Sequence, residues 1–249
     1  SHRAQGLGRS CAIQPVIRGH DGCGLFFNGL LGFASLTRVP RAPPMTSLAL
    51  VPLLLLAADE PAWEQAANTD GVRVFARKRG DGDVREMKAQ GLIDAPPVEV
   101  WKAVRDYDNY PKTMPYVEGG KVLSREGGDK GDKVTLLYSL INTPLVDRRD
   151  YIIRLVDETD WKNPATLKVT WTVVNDMDEK VPVPKDVVRV RVNEGYWLLE
   201  PREDGKKTFA TYYVYTSPGG AIPNFIINKA NSMAVPAVFN AIKKTCGKK

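Results

Sequence analysis

The stretch that most limits what this chain can become is its last one, Ser217 to Cys246, reading SPGGAIPNFIINKANSMAVPAVFNAIKKTC. Apolar or small residues fall at 222, 225, 226, 230, 233, 234, 237, 238, 241 and 242, the three-and-four spacing of one helix face. Ser217-Pro218-Gly219-Gly220 reads as a turn, and Pro223 suits a first helical turn, where a missing N–H costs little. Lys243 and Lys244 at the far end complement the negative pole of the helix dipole. A long amphipathic helix is therefore expected to close the chain. Its stripe mixes large residues with alanines, so the face it presents is uneven. Pro236 inside it removes one backbone hydrogen bond and is expected to kink it. A helix laid on a sheet satisfies this pattern, and so does a movable lid over a cavity.

What precedes that helix is a succession of strands. Val72–Lys78 and Val84–Ile93 flank a Gly80-Asp81-Gly82-Asp83 turn, and Pro61–Ala66 before them reads as a short helix. A helix is expected from Asp94 to Asp106, with Val100, Trp101, Val104 and Tyr107 on one side, then a Pro-broken aromatic stretch to Val117. Strands follow at Lys121–Arg125, Lys133–Ile141, Arg149–Val156, Thr166–Val173, Val187–Leu199 and Thr208–Tyr215. No crossover helices separate them, so the class is α+β: a curved antiparallel sheet with the C-terminal helix packed across it.

Charge and cysteine usage exclude several functions. The formal charge is +6, but residues 1–44 hold five arginines against Asp21 alone, and 59–249 keep only +2. A nearly balanced domain does not suit a phosphate backbone, so no nucleic acid is expected as a partner. Both histidines, His2 and His20, precede residue 45, and Cys246 is the one cysteine after it. The domain therefore lacks the parts for Ser-His-Asp or Cys-His chemistry and for ordinary zinc or copper sites. No cofactor, metal or catalytic residue is expected. The uncharged run Leu48–Leu56, ending at Ala57-Ala58, reads as an export signal over 45–58. Met45 is the expected start, 1–44 an upstream or disordered segment, and 63–249 the folded domain. Export to the periplasm or exterior follows if Met45 begins the protein; otherwise the chain is cytoplasmic.

RDYIIR at 149–154, VRVRVNEGYWLLEP at 188–201 and TYYVYTSPGGAIPNFIINKA at 211–230 resemble the START (StAR-related lipid-transfer) family. GVRVFARK and PPVEVWKAVRDYDNYPKTMP fit its first strand and second helix. The resemblance implies a helix-grip fold, a sheet wrapped around the last helix, with a tunnel for one lipid or sterol-like molecule and transient contact with a membrane. The position matching the cavity arginine of sterol-binding members is Leu155, and Thr135–Asn142 holds no acid to partner one. A more apolar cavity is implied. Walls are expected from one face of each strand, at Leu136, Tyr138, Leu140, Tyr151, Ile153, Leu167, Val169 and Trp171; Arg149 either faces inward with them or forms a structural salt bridge to a loop carboxylate. The lid supplies Phe225, Ile226 and Met233. In the last strand Tyr213/Tyr215 and Tyr212/Val214 fit equally well. Trp161, in the loop DETDWKNPA, and Pro236 are expected to form a gate. The alternative is a helix-grip enzyme of the aromatase/cyclase or dehydratase kind, which would need polar groups such as Arg149, Tyr138 or Tyr151 inside the tunnel.

Overall fold

A computed structural model of the chain describes residues 61–128, 131–162 and 164–247. The export-signal reading over 45–58 and the segment 1–44 lie outside the described residues. Ten strands form one sheet: β1 (Glu64–Thr69), β2 (Val72–Lys78), β3 (Arg85–Ile93), β4 (Val117–Gly128), β5 (Gly131–Ile141), β6 (Arg149–Asp157), β7 (Leu167–Val173), β8 (Val188–Arg189), β9 (Val192–Arg202) and β10 (Lys207–Ser217). Their order is β1-β2-β3-β10-β9-β7-β6-β5-β4, antiparallel throughout, with the short β8 pairing parallel to β6. Helix α1 (Pro97–Val104) and, after a 3₁₀ turn at Tyr107–Asn109, α2 (Tyr110–Thr113) fill the connection from β3 to β4. The long helix α3 (Asn224–Cys246) ends the fold. This is the expected α+β helix-grip architecture.

One expectation is corrected at once. Residues 64–69 form an edge strand, not a helix, because the two-residue loop Asp70-Gly71 folds them back on β2, with Thr69 opposite Val72. Both loop residues have positive φ (55° and 75°), the hairpin geometry that Asp-Gly favours. Pairing to a neighbouring strand outweighs the weak strand propensity of EQAANT.

The core lies between the concave face of the sheet and the helices. Val72, Val74 and Ala76 of β2 and Met87, Ala89 and Ile93 of β3 bury one face of their strands. Val100, Trp101 and Val104 of α1 and Val235, Phe239 and Ile242 of α3 close over it. Phe239 is fully buried at the centre, its ring 5.7 Å from that of Trp197. It can seat so deeply because Gly91 offers bare backbone: a Cβ there would lie 3.3 Å from Phe239 Cε1.

The buried stripe of α3 is rotated from the expected one. Ile227, Ala230, Val235, Phe239 and Ile242 point inward, whereas Phe225 is 73% and Met233 37% exposed, and Ile226 is half-buried. The helix runs unbroken through Pro236, itself half-buried. Among the described residues no helix is long and apolar enough to cross a membrane.

Candidate functional site

Strand alternation puts residues i and i+2 on one face, so the inner face of β6 is Arg149, Tyr151, Ile153 and Leu155. On β7 it is Leu167, Val169 and Trp171, and on β9 Asn193, Gly195, Trp197 and Leu199. Tyr212 pairs with Trp197 and Val214 with Gly195, which settles the last strand on Tyr212/Val214. Over this face α3 presents Ala230, Ala234 and Val238, and the two alanines leave room that larger side chains would fill.

The room is divided in two. The first chamber, about 140 Å³, lies between Arg149, Tyr151, Asn193 and Thr216 on the sheet and Ala230 to Val238 on α3. Its mouth is formed by the β5–β6 loop, at Thr143 and Val146, and by Pro218 ahead of α3. The second chamber, about 80 Å³, adjoins it, among Ile153, Leu155, Val169, Trp197, Tyr107 and Tyr110. Pro115, Trp171, Tyr212 and Val238 belong to both and form the partition. Within it Tyr212 stacks on Trp171 (5.8 Å) and on Trp197 (4.7 Å). The Trp171 indole is fixed by a hydrogen bond from Nε1 to Asn193 Oδ1 (3.0 Å).

The electrostatics of this space are simple. Among the described lining residues Arg149 alone is charged. Burial raises the pKa of Tyr151, although Ser139 hydrogen-bonds it and pulls the other way. Burial, with Tyr151 alongside, also holds Tyr212 well above its ordinary value. Tyr107 is pushed up to about 12 by burial, against the pull of the neighbouring Arg105, and among the described residues its buried hydroxyl has no partner in hydrogen-bond geometry. All three phenols are neutral at physiological pH. Among the described lining residues there is no carboxylate or histidine facing them.

The structure brings Arg149, Tyr151, Ile153, Val169 and Trp171 together around this space, and Leu167 lies in the core beside it. Leu136, Tyr138 and Leu140 are elsewhere. They sit opposite Arg154, Ile152 and Asp150, the outer face of β6, so β5 turns Leu137, Ser139 and Ile141 inward instead. Phe225, Ile226 and Met233 do not line either chamber, nor does Pro236. Trp161 is not a loop-tip aromatic facing solvent. Its ring packs edge-on against Trp101 (6.1 Å) and its Nε1 donates to Asp157 Oδ2 (2.9 Å). That buried carboxylate also accepts the Thr159 N–H and faces Arg105 at 3.6 Å. The loop is thereby pinned to α1 and the end of β6. Asn193, Trp197, Tyr107, Tyr110 and the small residues of α3 were missing from the expected walls. For β9 the signal was present, since Asn193, Gly195 and Trp197 alternate within VNEGYWLLE.

A sheet gripping a terminal helix over an enclosed, mostly apolar space defines a helix-grip protein with an internal cavity. The chain belongs to the polyketide cyclase/dehydrase and lipid transport family, which matches residues 93–243. It is 29% identical over 184 residues to an uncharacterized protein of Pseudomonas aeruginosa, covering 73% of this chain and 83% of that one. Among solved structures it resembles a STAR-related lipid transfer protein from Xanthomonas axonopodis, with TM-score 0.63 and 24% identity, over 74% of this chain and 98% of the other. Human StAR-related lipid transfer protein 5 superposes with TM-score 0.63 at 17% identity, over 74% and 86% of the two chains.

Proposed function

We infer that the chain binds one apolar molecule between the concave sheet and α3 and carries it, rather than transforming it. The observation that supports this most is the lining: two chambers walled by aliphatic and aromatic side chains, with one charge and neutral phenols. Enclosing about 400 Å² of apolar ligand surface is worth about 10 kcal/mol before ordering costs, at ~25 cal/mol/Å². Chemistry of the cyclase or dehydratase kind requires a proton donor and acceptor set against each other, and the lining supplies neutral tyrosines without a base. Loading requires α3 or the loops at Thr143–Val146 and Pro218 to move. Pro236 weakens the helix there, since it cannot donate to the Ser232 carbonyl. Contact with a membrane during loading belongs to the same reading, as does export, which rests on the run 48–56.

The test is organic extraction and mass spectrometry of the purified chain beside an Ala234→Phe variant. A stoichiometric apolar molecule should accompany the wild type, and the phenyl ring should displace it while the fold is kept. If no lipid, sterol or other apolar compound copurifies or binds from a broad panel, the carrier reading fails. Turnover of a polyketide-like compound would replace it with the enzyme.

A further inference from the structure

Arg149 and Asp150 are neighbours on β6, and strand alternation sends them to opposite faces. Asp150, fully buried on the outer face, accepts two parallel bonds from Arg189, at 2.7 and 2.9 Å, and Arg189 also reaches Asp178 at 2.8 Å. That is how this fold neutralises a buried guanidinium. Arg149 is treated differently. Its side chain is 3% exposed, yet its one acidic neighbour, Asp147, stands 3.7 Å away with 90% of its side chain in solvent. Nε donates to the Pro218 carbonyl at 3.4 Å and Nη1 to the Asp147 carbonyl. Two of the five N–H groups are thus spent on main-chain oxygens, and among the described residues no hydrogen bond uses the pair on Nη2.

The surroundings keep that nitrogen clear. Gly220, at φ +78°, passes close by, and a Cβ on it would stand 3.6 Å from Nη2. The other polar side chains of the first chamber, including Thr143, Asn193 and Asn231, are uncharged, and the second chamber holds no charge at all. A cation buried in so apolar a place is expensive unless an anion meets it, and an oxyanion on a guanidinium is among the strongest hydrogen-bonded pairs available.

The geometry points to Arg149 as the receptor for the anionic head of an amphipathic ligand, a carboxylate or phosphate oxygen seated against Nη2, with the hydrocarbon tail directed to the uncharged second chamber. This rests on the apolar-ligand reading above and adds the head group to it. The distribution of charge, one buried cation in the first chamber and none among the described residues of the second, matches a molecule with one anionic end. A neutral sterol or ester leaves the guanidinium uncompensated.

The experiment measures affinities of the full chain for three probes of equal chain length: a saturated fatty acid, its methyl ester, and the corresponding lysophosphatidic acid. The two anions are expected to bind about ten- to hundredfold more tightly than the ester, the range for a hydrogen bond to a charged group. Whichever anion binds more tightly distinguishes a free acid from a phospholipid-type head. In Arg149→Met the advantage should shrink to near unity while ester affinity holds, and Arg149→Lys should keep part of it. The acid-to-ester ratio in the wild type needs no variant, so misfolding of Arg149→Met leaves the test intact. Equal affinity for acid and ester in the wild type overturns the head-group assignment and leaves the apolar cavity standing. Binding of none of the three overturns the head-group assignment, and the carrier reading falls with it when the broad panel of apolar compounds also fails to bind.

Discussion

Gly195 of β9 is where a single methyl group tests the construction of the cavity. The residue faces Trp171 across the β7–β9 pair and Val214 across the β9–β10 pair. The Trp171 indole lies directly over its Cα. A Cβ on Gly195 would fall within the van der Waals radii of the Tyr213 carbonyl oxygen and of Trp171 Cζ2, and 2.8 Å from Cε2. One neighbour is backbone and the other a ring held by stacking on Tyr212 and by its bond to Asn193, so neither yields freely. Overpacking of this kind costs about 1–3 kcal/mol. If the ring swings away, the buried indole N–H and Asn193 oxygen lose each other, which costs another 1–3 kcal/mol or so. Gly195→Ala should therefore lose about 2–6 kcal/mol in urea denaturation and, with the indole pushed into the partition, lose ligand affinity. Trp171→Leu removes the ring, and in the double variant the added cost of the alanine should fall by at least about 1 kcal/mol, the part not due to the carbonyl clash. A Gly195→Ala protein within about 1 kcal/mol of wild type, or a strictly additive double variant, would refute this account of the partition.

Two further outcomes follow from the same geometry. Trp161→Ala removes the edge-on contact with Trp101 and the bond to Asp157, so thermal melting should show a loss of about 2 kcal/mol with ligand uptake from vesicles unchanged; slowed uptake at full stability would return Trp161 to the gate. Burial holds Tyr107 up to about 12 and raises Tyr110, Tyr151 and Tyr212 above the ordinary value of 10.0, whereas the unfolded chain ionises them near that value. Their stabilisation is complete below pH 10 and is lost as pH rises toward the folded values. Phenolate absorbance should therefore lag the exposed tyrosines and rise together with unfolding, and a full complement titrating near pH 10 in the intact fold contradicts the buried assignments.

The parts of the site that could be read from the sequence were those with one apolar face. In β6 and β7 the alternation of Tyr151, Ile153 and Leu155 and of Leu167, Val169 and Trp171 against charged or polar neighbours leaves one register. In β5 apolar residues occupy both faces: Leu136, Leu137, Tyr138, Leu140 and Ile141 run almost without interruption, and a slip of one residue exchanges wall for exterior. Only the pairing to β6, with Leu140 beside Asp150, decides the matter. In α3 the adjacent Ile226 and Ile227 and the many alanines permit two stripes about one residue apart. The deep seat of Phe239 against Gly91 selects the second, and that contact joins distant parts of the chain. Trp161 misleads for a similar reason: Asp157 is only four residues away, but Trp101, against which the ring packs, becomes its neighbour only once α1 has packed against the end of β6.

The strand order has a consequence for how the molecule comes into being. β10 lies between β3 and β9, so the last strand made joins two half-sheets that leave the ribosome unconnected. Gln90 and Thr211, which meet across that seam, are 121 residues apart. At typical synthesis rates the wait is on the order of ten seconds, during which the edge of β3 that β10 will cover stays unpaired; β9, the facing edge, is made just before β10. The space does not exist in any shorter nascent chain, because the last strip of its floor, β10, and its roof, α3, arrive together. On the carrier reading, the first occupant is whatever apolar molecule lies within reach as the seam closes, and a recombinant preparation should carry a molecule from the cell that made it until that molecule is exchanged.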